Sequence, residues 1–465
     1  MPLPRFLPVA LVAGLLAGCT TYQPKNLNPA TTQAQLESRT LTDAGLKNFL
    51  VAHGAPSAPP ATAEWDLARL TLAAFYFSPE LDVARTQLAE TEGGIRTAAA
   101  LPNPKFNFTP GYNQDATGGV TPWILSYALD LPLELAGQRT YRTAEARAQA
   151  EAARLNLASA AWTARTAVRR ALTELHAAEG AAVLWRDQQP LLAQAAQIVD
   201  AQVKAGEVSP LEAAQARIAL HRATLAAREA DRAVALARSR LAEAVGIPLA
   251  ALVDVRLSFA GLVESTPPPA PAEARRLAAQ NRADLLAALA AYAASQSALQ
   301  GEIARQYPDL SFGPGYQLDQ GEGKWSLSLG VTLPVFHQNQ GPIAAAQARR
   351  ESAAAKFLSL QHHILAEVDR TAAAYTSALG DLAAIDTLRA TLTQQAKTIR
   401  AQQAAGETSR LDLTRAQLEL ADHARAELDA RVRAEQALTD FEAALQRPLA
   451  WPETAWRTTT RTSSN

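Results

Sequence analysis

Two stretches decide the fold: Trp123-Ile-Leu-Ser-Tyr127-Ala-Leu-Asp-Leu-Pro-Leu133 and, in the second half of the chain, Trp325-Ser-Leu-Ser-Leu-Gly-Val-Thr-Leu-Pro-Val335. Trp123, Leu125, Tyr127, Leu129, Leu131 and Leu133 alternate with Ser126, Ala128 and Asp130. Trp325, Leu327, Leu329, Val331, Leu333 and Val335 stand in the same way against Lys324, Ser326, Ser328 and Thr332. Each stretch follows a shorter one of the same kind. Phe106, Phe108 and Tyr112 alternate with Lys105, Asn107 and Thr109, and Leu310, Phe312, Tyr316 and Leu318 with Asp309, Ser311 and Gln317. A period of two belongs to strands. The segments between, around residues 114–121 and 319–323, are polar and glycine-bearing, as hairpin loops are. Strands of about ten residues, apolar on one face and polar on the other, with aromatics near their ends, suit a membrane barrel with a wet lumen. A soluble sheet covered by helices on one face has the same alternation. Four strands cannot close, because membrane barrels need about eight or more. An open edge in lipid leaves backbone groups without partners. The membrane reading therefore requires oligomerisation, and three chains supply twelve strands.

The two stretches belong to a duplication. Residues 104–112 match 308–316, residues 123–133 match 325–335, and residues 205–212 match 405–412, so the offset falls from 204 to 202 to 200. Each length difference is expected in a loop. A repeat of this size is a duplicated domain rather than a solenoid unit. The boundaries read as residues 64–265 and 272–450, joined by the proline-rich residues 266–271 and followed by a tail at 451–465.

Each half runs helix, two strands, one very long helix, one shorter helix. Residues 136–205 are helix-compatible except for Pro190, which should bend the rod locally, and residues 342–405 contain no proline after Pro342. At 1.5 Å per residue each rod is on the order of 100 Å long, which suits a coiled coil or a tunnel wall. Both rods end alike. Gly206 and Gly406 can take the left-handed position after a helix. Ser209 and Ser409 can cap the next helix, with Glu212 and Asp412 completing a capping box and Pro210 at the first helical position. Glu207 and Glu407 lie in the turns themselves, and Arg410 stands where the first half has Pro210.

Composition excludes much else. Lys and Arg number 44 against 45 Asp and Glu, so no basic face speaks for nucleic acid. The single cysteine excludes a disulfide framework and a thiolate metal cage. That cysteine, Cys19, follows Leu16-Ala17-Gly18 at the end of a short apolar run behind Arg5. Residues 1–18 read as a signal peptide, and the small residues before Cys19 resemble the bacterial lipobox, in which the cysteine is acylated. Residues 19–63, rich in Thr, Pro, Asn and Ala, read as an extended lead. No P-loop, nucleophile elbow or His-Glu-x-x-His sequence is present, so an enzyme has no support. His362 and His363 point about 100° apart on a helix and cannot chelate from one face. They read as solvated surface, as do His221 and His423, and neither a metal site nor a cofactor is expected.

The lipobox, two alternating hairpins, two rods with Gly-Glu-x-Ser turns and the duplication together resemble the TolC-like outer-membrane efflux family. The resemblance covers residues from about 64 to 450. It implies a mainly α protein with a membrane β-barrel: a homotrimer whose twelve strands form the barrel, continued by an α-helical tunnel across the periplasm. It implies that Phe106, Phe108, Tyr112, Trp123, Tyr127, Phe312, Tyr316 and Trp325 face lipid. Gly206, Glu207, Ser209, Glu212, Gly406, Glu407, Ser409, Arg410 and Asp412 then form the periplasmic tip, which meets an adaptor protein and an inner-membrane pump. Residues 133–139 and 334–343 look like the cobalt–zinc–cadmium branch, although Ala136 and Ala283 depart from its pattern. Multidrug efflux and type I secretion share the same architecture. A periplasmic coiled-coil adaptor lipoprotein is the alternative of another class, but it should carry one helical hairpin rather than two.

Overall fold

The computed structural model describes residues 20–54, 64–262 and 266–449. The signal peptide, Cys19 and the C-terminal tail lie outside the described residues. Among the described residues the first elements are α1 (Pro29–Glu37) and α2 (Ala44–Ala52). The first half then contains α3 (Leu67–Phe77), α4 (Pro79–Ala99), β1 (Lys105–Tyr112), β2 (Trp123–Leu133), α5 (Gln138–Lys204) and α6 (Pro210–Val245). The second half repeats this order with α7 (Pro271–Asn281), α8 (Ala283–Ala304), β3 (Leu310–Asp319), β4 (Glu322–Val331), α9 (Gln340–Ala404) and α10 (Arg410–Leu445).

The lead is docked rather than extended. Leu41 and Leu46 are buried against α3, and Arg39 donates to the carbonyls of Phe77 and Gly246 at 2.8 and 2.9 Å. Two leucines and one guanidinium outweigh the turn-forming composition around them.

The rods match in design and differ by one detail. Helix α5 has 67 residues and α9 has 65. The second length difference between the halves thus falls inside a rod, not in a loop as expected. The helix runs through Pro190 without ending. A single proline removes one ladder donor from a long helix held along its sides by α6, α8 and α10.

Equivalent cores sit midway along the rods. In the first half Val168, Leu172 and Leu175 of α5 meet Leu70 and Phe77 of α3 and Leu241 and Val245 of α6. In the second, Ile364, Val368 and Tyr375 of α9 meet Ala274 of α7 and Phe441 and Leu445 of α10. The halves join where α5 packs on α8 and α10. At that junction Arg165 and Arg169 both donate to one carboxylate oxygen of Glu442, at 3.0 and 2.7 Å, and all three side chains are buried. His423 is buried as well, correcting its reading as surface, because α10 is covered by α5 on one side and α9 on another. His221, His362 and His363 are exposed.

The strands form one antiparallel sheet in the order β1-β2-β3-β4. The second hairpin is tighter than expected: Gln320 and Gly321, at φ 52° and 95°, are the whole loop. Two successive left-handed residues give the turn twist that matches paired strands. Asp319, Glu322 and Gly323 consequently belong to the strands, and Lys324 closes on Asp319 at 2.7 Å.

Candidate functional site: the sheet face and the helical tips

Within β1–β4 register places the apolar residues of the alternation on one face, while Leu333 and Val335, expected to continue the last strand, lie past its end at Val331. Across the sheet Phe108 pairs with Tyr127, Tyr127 with Tyr316 and Tyr316 with Trp325. A second row runs Phe106–Leu129, and a third runs Leu131–Phe312–Leu329. Rings pack along the rows: Phe108 stacks on Tyr127 at 5.1 Å, Tyr112 meets Trp123 edge-on at 5.1 Å, and Tyr316 lies 4.9 Å from Trp325. Phe106, Phe108, Tyr112, Trp123, Tyr127, Phe312 and Trp325 are exposed, Trp325 at 82%. Tyr316 is half-buried, since it sits on an inner strand with Tyr127 on one side and Trp325 on the other.

The opposite face carries small and polar groups. Ser311, Gly313 and Gly315 of β3 stand opposite Gly330, Ser328 and Ser326 of β4. Ser328 donates to the Gly313 carbonyl at 3.0 Å, and a β-carbon at Gly313 would lie 2.3 Å from the Ser328 hydroxyl. That face is polar and carries small side chains, the other is apolar. Among the described residues no helix packs on the sheet with more than a few contacts, and the outer edges of β1 and β4 have no partner strand.

The far ends of the rods are two turns built alike. Gly206 and Gly406 hold φ at 78° and 79°. Glu207 N–H donates to Gln202 O and Glu407 N–H to Gln402 O, each at 2.9 Å, while Gly206 and Gly406 N–H reach Val203 O and Gln403 O. This double bond pattern satisfies the last carbonyls of each rod and needs the left-handed residue in the middle. The caps that follow differ. Ser409 and Asp412 form the expected capping box, Asp412 N–H donating to Ser409 Oγ at 3.1 Å and Ser409 N–H to Asp412 at 3.2 Å. The Ser409 hydroxyl and N–H hold the Asp412 carboxyl below the usual carboxylate range. Ser209 makes no side-chain cap bond, so the box expected with Glu212 is absent. Pro210, pre-set for the first helical position, starts α6 instead.

Glu207, Glu212, Glu407, Arg410 and Asp412 are exposed, and Arg410 makes no ion pair among the described residues. Beneath the turns Leu411 is buried with Val199 and Ala213, whereas Leu211, its counterpart, is 65% exposed. The described residues contain no group of three or more metal-ligating side chains. No helix among them is long and apolar enough to cross a membrane.

Sequence reasoning missed the buried ion cluster. The signal was present: Glu442 sits inside the apolar run from Phe441 to Leu445. Burial keeps the Arg165 guanidinium below its ordinary range, against the opposing pull of Glu442.

The family model for outer membrane efflux proteins matches residues 74–247 and 274–446. The cobalt-zinc-cadmium resistance protein CzcC of Cupriavidus metallidurans is 28% identical over 282 residues, covering 60% of this chain and 65% of that protein. A membrane protein from Pseudomonas aeruginosa has a similar structure, with TM-score 0.66 at 21% identity over 82% of this chain and 92% of that one. The channel-forming protein CusC also gives TM-score 0.66, at 17% identity over 82% of this chain and 91% of that one.

Proposed function

Because the chain belongs to the outer membrane efflux protein family, we propose that it is the outer-membrane channel of a tripartite efflux system, exporting heavy-metal cations. The observation that carries the channel reading is the sheet: four strands, one continuous exposed apolar face, and two unpaired edges. Lipid covers such a face, and neighbouring copies pair such edges. Three copies supply twelve strands, with the serine- and glycine-rich face lining the lumen. From Trp123 to Leu133 the strand rises about 33 Å at ~3.3 Å per residue. Tilted by roughly 40°, it spans about 25 Å, the height of an outer-membrane apolar band. The rods then reach about 100 Å into the periplasm and present Glu207, Glu407 and Arg410 to an adaptor, itself docked to an inner-membrane pump. Cys19 carries the lipid. The cargo assignment rests on the resemblance to CzcC, a cobalt-zinc-cadmium resistance protein of which the match spans 65%.

Detergent-solubilised protein should have a mass near three chains plus lipid, and a stable monomer would overturn the channel reading. Deleting the gene should sensitise cells to cobalt, zinc or cadmium. Sensitivity confined to organic drugs would replace the cargo and leave the channel standing.

A further inference from the structure

The two halves build the same corner and fill it differently. Each leading helix pair bends at one residue, Ser78 between α3 and α4 and Arg282 between α7 and α8. The backbone there is the same, with φ −66° and ψ 119° at Ser78 and φ −64° and ψ 117° at Arg282. Helices α5 and α6 pack against the first corner, α9 and α10 against the second. Residues two hundred apart correspond in these helices: buried Ala164, Val168 and Leu175 match buried Ile364, Val368 and Tyr375.

In the second half the corner is closed by its own side chain. Arg282 donates to the two oxygens of Asp284 at 3.0 and 2.7 Å, to Glu367 at 2.7 Å and to the Ala444 carbonyl at 3.0 Å. Its side chain is only 10% exposed. Two carboxylates and one carbonyl thus seat a planar guanidinium, the donor fork they fit best.

The first half keeps the seat without that side chain. Ser78 stands for Arg282, Glu80 for Asp284, Ala167 for Glu367, Ala171 for Thr371 and Ala244 for Ala444. All five first-half residues line one cavity of about 350 Å³. Glu174 and Glu243 line it as well and supply the carboxylates that Ala167 lacks. Two guanidiniums at its wall are already engaged, Arg170 with Asp440 at 2.6 Å and Arg240 with Glu174 at 2.7 Å. Three carboxylates against two guanidiniums leave the lining negative. The lead's Arg39 reaches the same corner, but on the Phe77 and Gly246 carbonyls, and it does not line the cavity.

We propose that this cavity binds one alkylguanidinium group, in the seat Arg282 takes in the second half. The group donates to Glu80 and the Ala244 carbonyl, as Arg282 does to Asp284 and the Ala444 carbonyl, and its alkyl stem lies on Ala167 and Ala171. It ties the α3–α4 corner to α5 and α6, so its binding stabilises the folded chain. The site lies within one half of one chain and does not depend on the ring.

The probe is agmatine, titrated into the full chain in detergent. A single molecule should bind per chain and raise the thermal midpoint. Tetramethylammonium, which has the charge without the donors, should bind at least about tenfold more weakly, and Glu80→Gln should weaken agmatine by about tenfold. Ser78→Arg with Ala167→Glu rebuilds the second half's clamp in the first; this variant should no longer bind agmatine and should melt above the parent without ligand. Acetyl-arginine amide carries the same group on a peptide backbone. Binding of agmatine alone assigns the seat to a free cation, and equal binding of both assigns it to the arginine of a docking protein. Failure of the folded parent to bind either compound at millimolar concentration would overturn the proposal. Agmatine binding of unchanged strength in Glu80→Gln and in Ser78→Arg with Ala167→Glu would overturn it too.

Discussion

Replacing Glu442 by alanine removes the one carboxylate that holds Arg165 and Arg169 together inside the protein. The two guanidiniums lie 3.0 and 2.7 Å from the same oxygen, and the other carboxylate oxygen accepts from Leu449 N–H at 3.0 Å. All three side chains are at least nine-tenths buried. Breaking a buried pair from one side costs about 3–5 kcal/mol, because the charge left behind is neither solvated nor paired. Arg170 and Asp440 form a bond of 2.6 Å close by, but both are about half exposed, and such a pair contributes about 0–1 kcal/mol. Glu442→Ala should therefore open the α5–α10 seam locally, while Asp440→Ala should not. Native-state hydrogen exchange reads this directly, since a loss of about 3 kcal/mol speeds exchange through local opening by roughly a hundredfold. The amides of residues 436–445 should respond in the first variant and stay within about tenfold of the parent in the second. Replacing the cluster together, by Arg165→Met, Arg169→Met and Glu442→Leu, should restore most of the protection. Equal exchange in Glu442→Ala and Asp440→Ala would refute the argument that burial sets the size of the effect.

Acidification should fray the start of α10. The folded Asp412 carboxyl is held below its ordinary range by Ser409, so its cap is present above pH of about 4 and is lost as pH falls through the lowered folded value; exchange at residues 410–414 should show this, and Asp412→Asn should abolish the pH dependence. In planar bilayers, Arg410→Ala should raise single-channel conductance and Glu207→Gln with Glu407→Gln should reduce cation preference, whereas unchanged values would leave these charges only docking or capping roles. Mass spectrometry should find Cys19 acylated, and Cys19→Ala should leave the signal peptide poorly processed while the protein still reaches the outer membrane; an unmodified Cys19 in the mature chain would end the lipoprotein reading.

Sequence alone determined the order of strands, rods and turns within each half, though not the two helices of the lead or the split of each leading helix into two. Alternation, helix length and the glycine turns are local properties, governed by the pitch of strands and helices and by which residues tolerate a positive φ. The duplication added an internal check, because each half predicts the other. For that reason the strands, the rods and the turns at Gly206 and Gly406 were legible. Ser209 and Ser409 mark the limit: matched segments, yet only Ser409 forms the capping box.

Tertiary structure decided what covers each face. Nothing in the local pattern distinguishes buried Leu411 from exposed Leu211, or buried His423 from exposed His221. Those differences arise because α10 lies against both α5 and α9, whereas α6 has its hairpin partner α5 on one side and an uncovered stripe on another. The buried meeting of Arg165, Arg169 and Glu442, more than 270 residues apart in the chain, has the same origin. Burial is a property of neighbours brought from elsewhere, and a helix's own sequence states its apolar side without saying what lies against it.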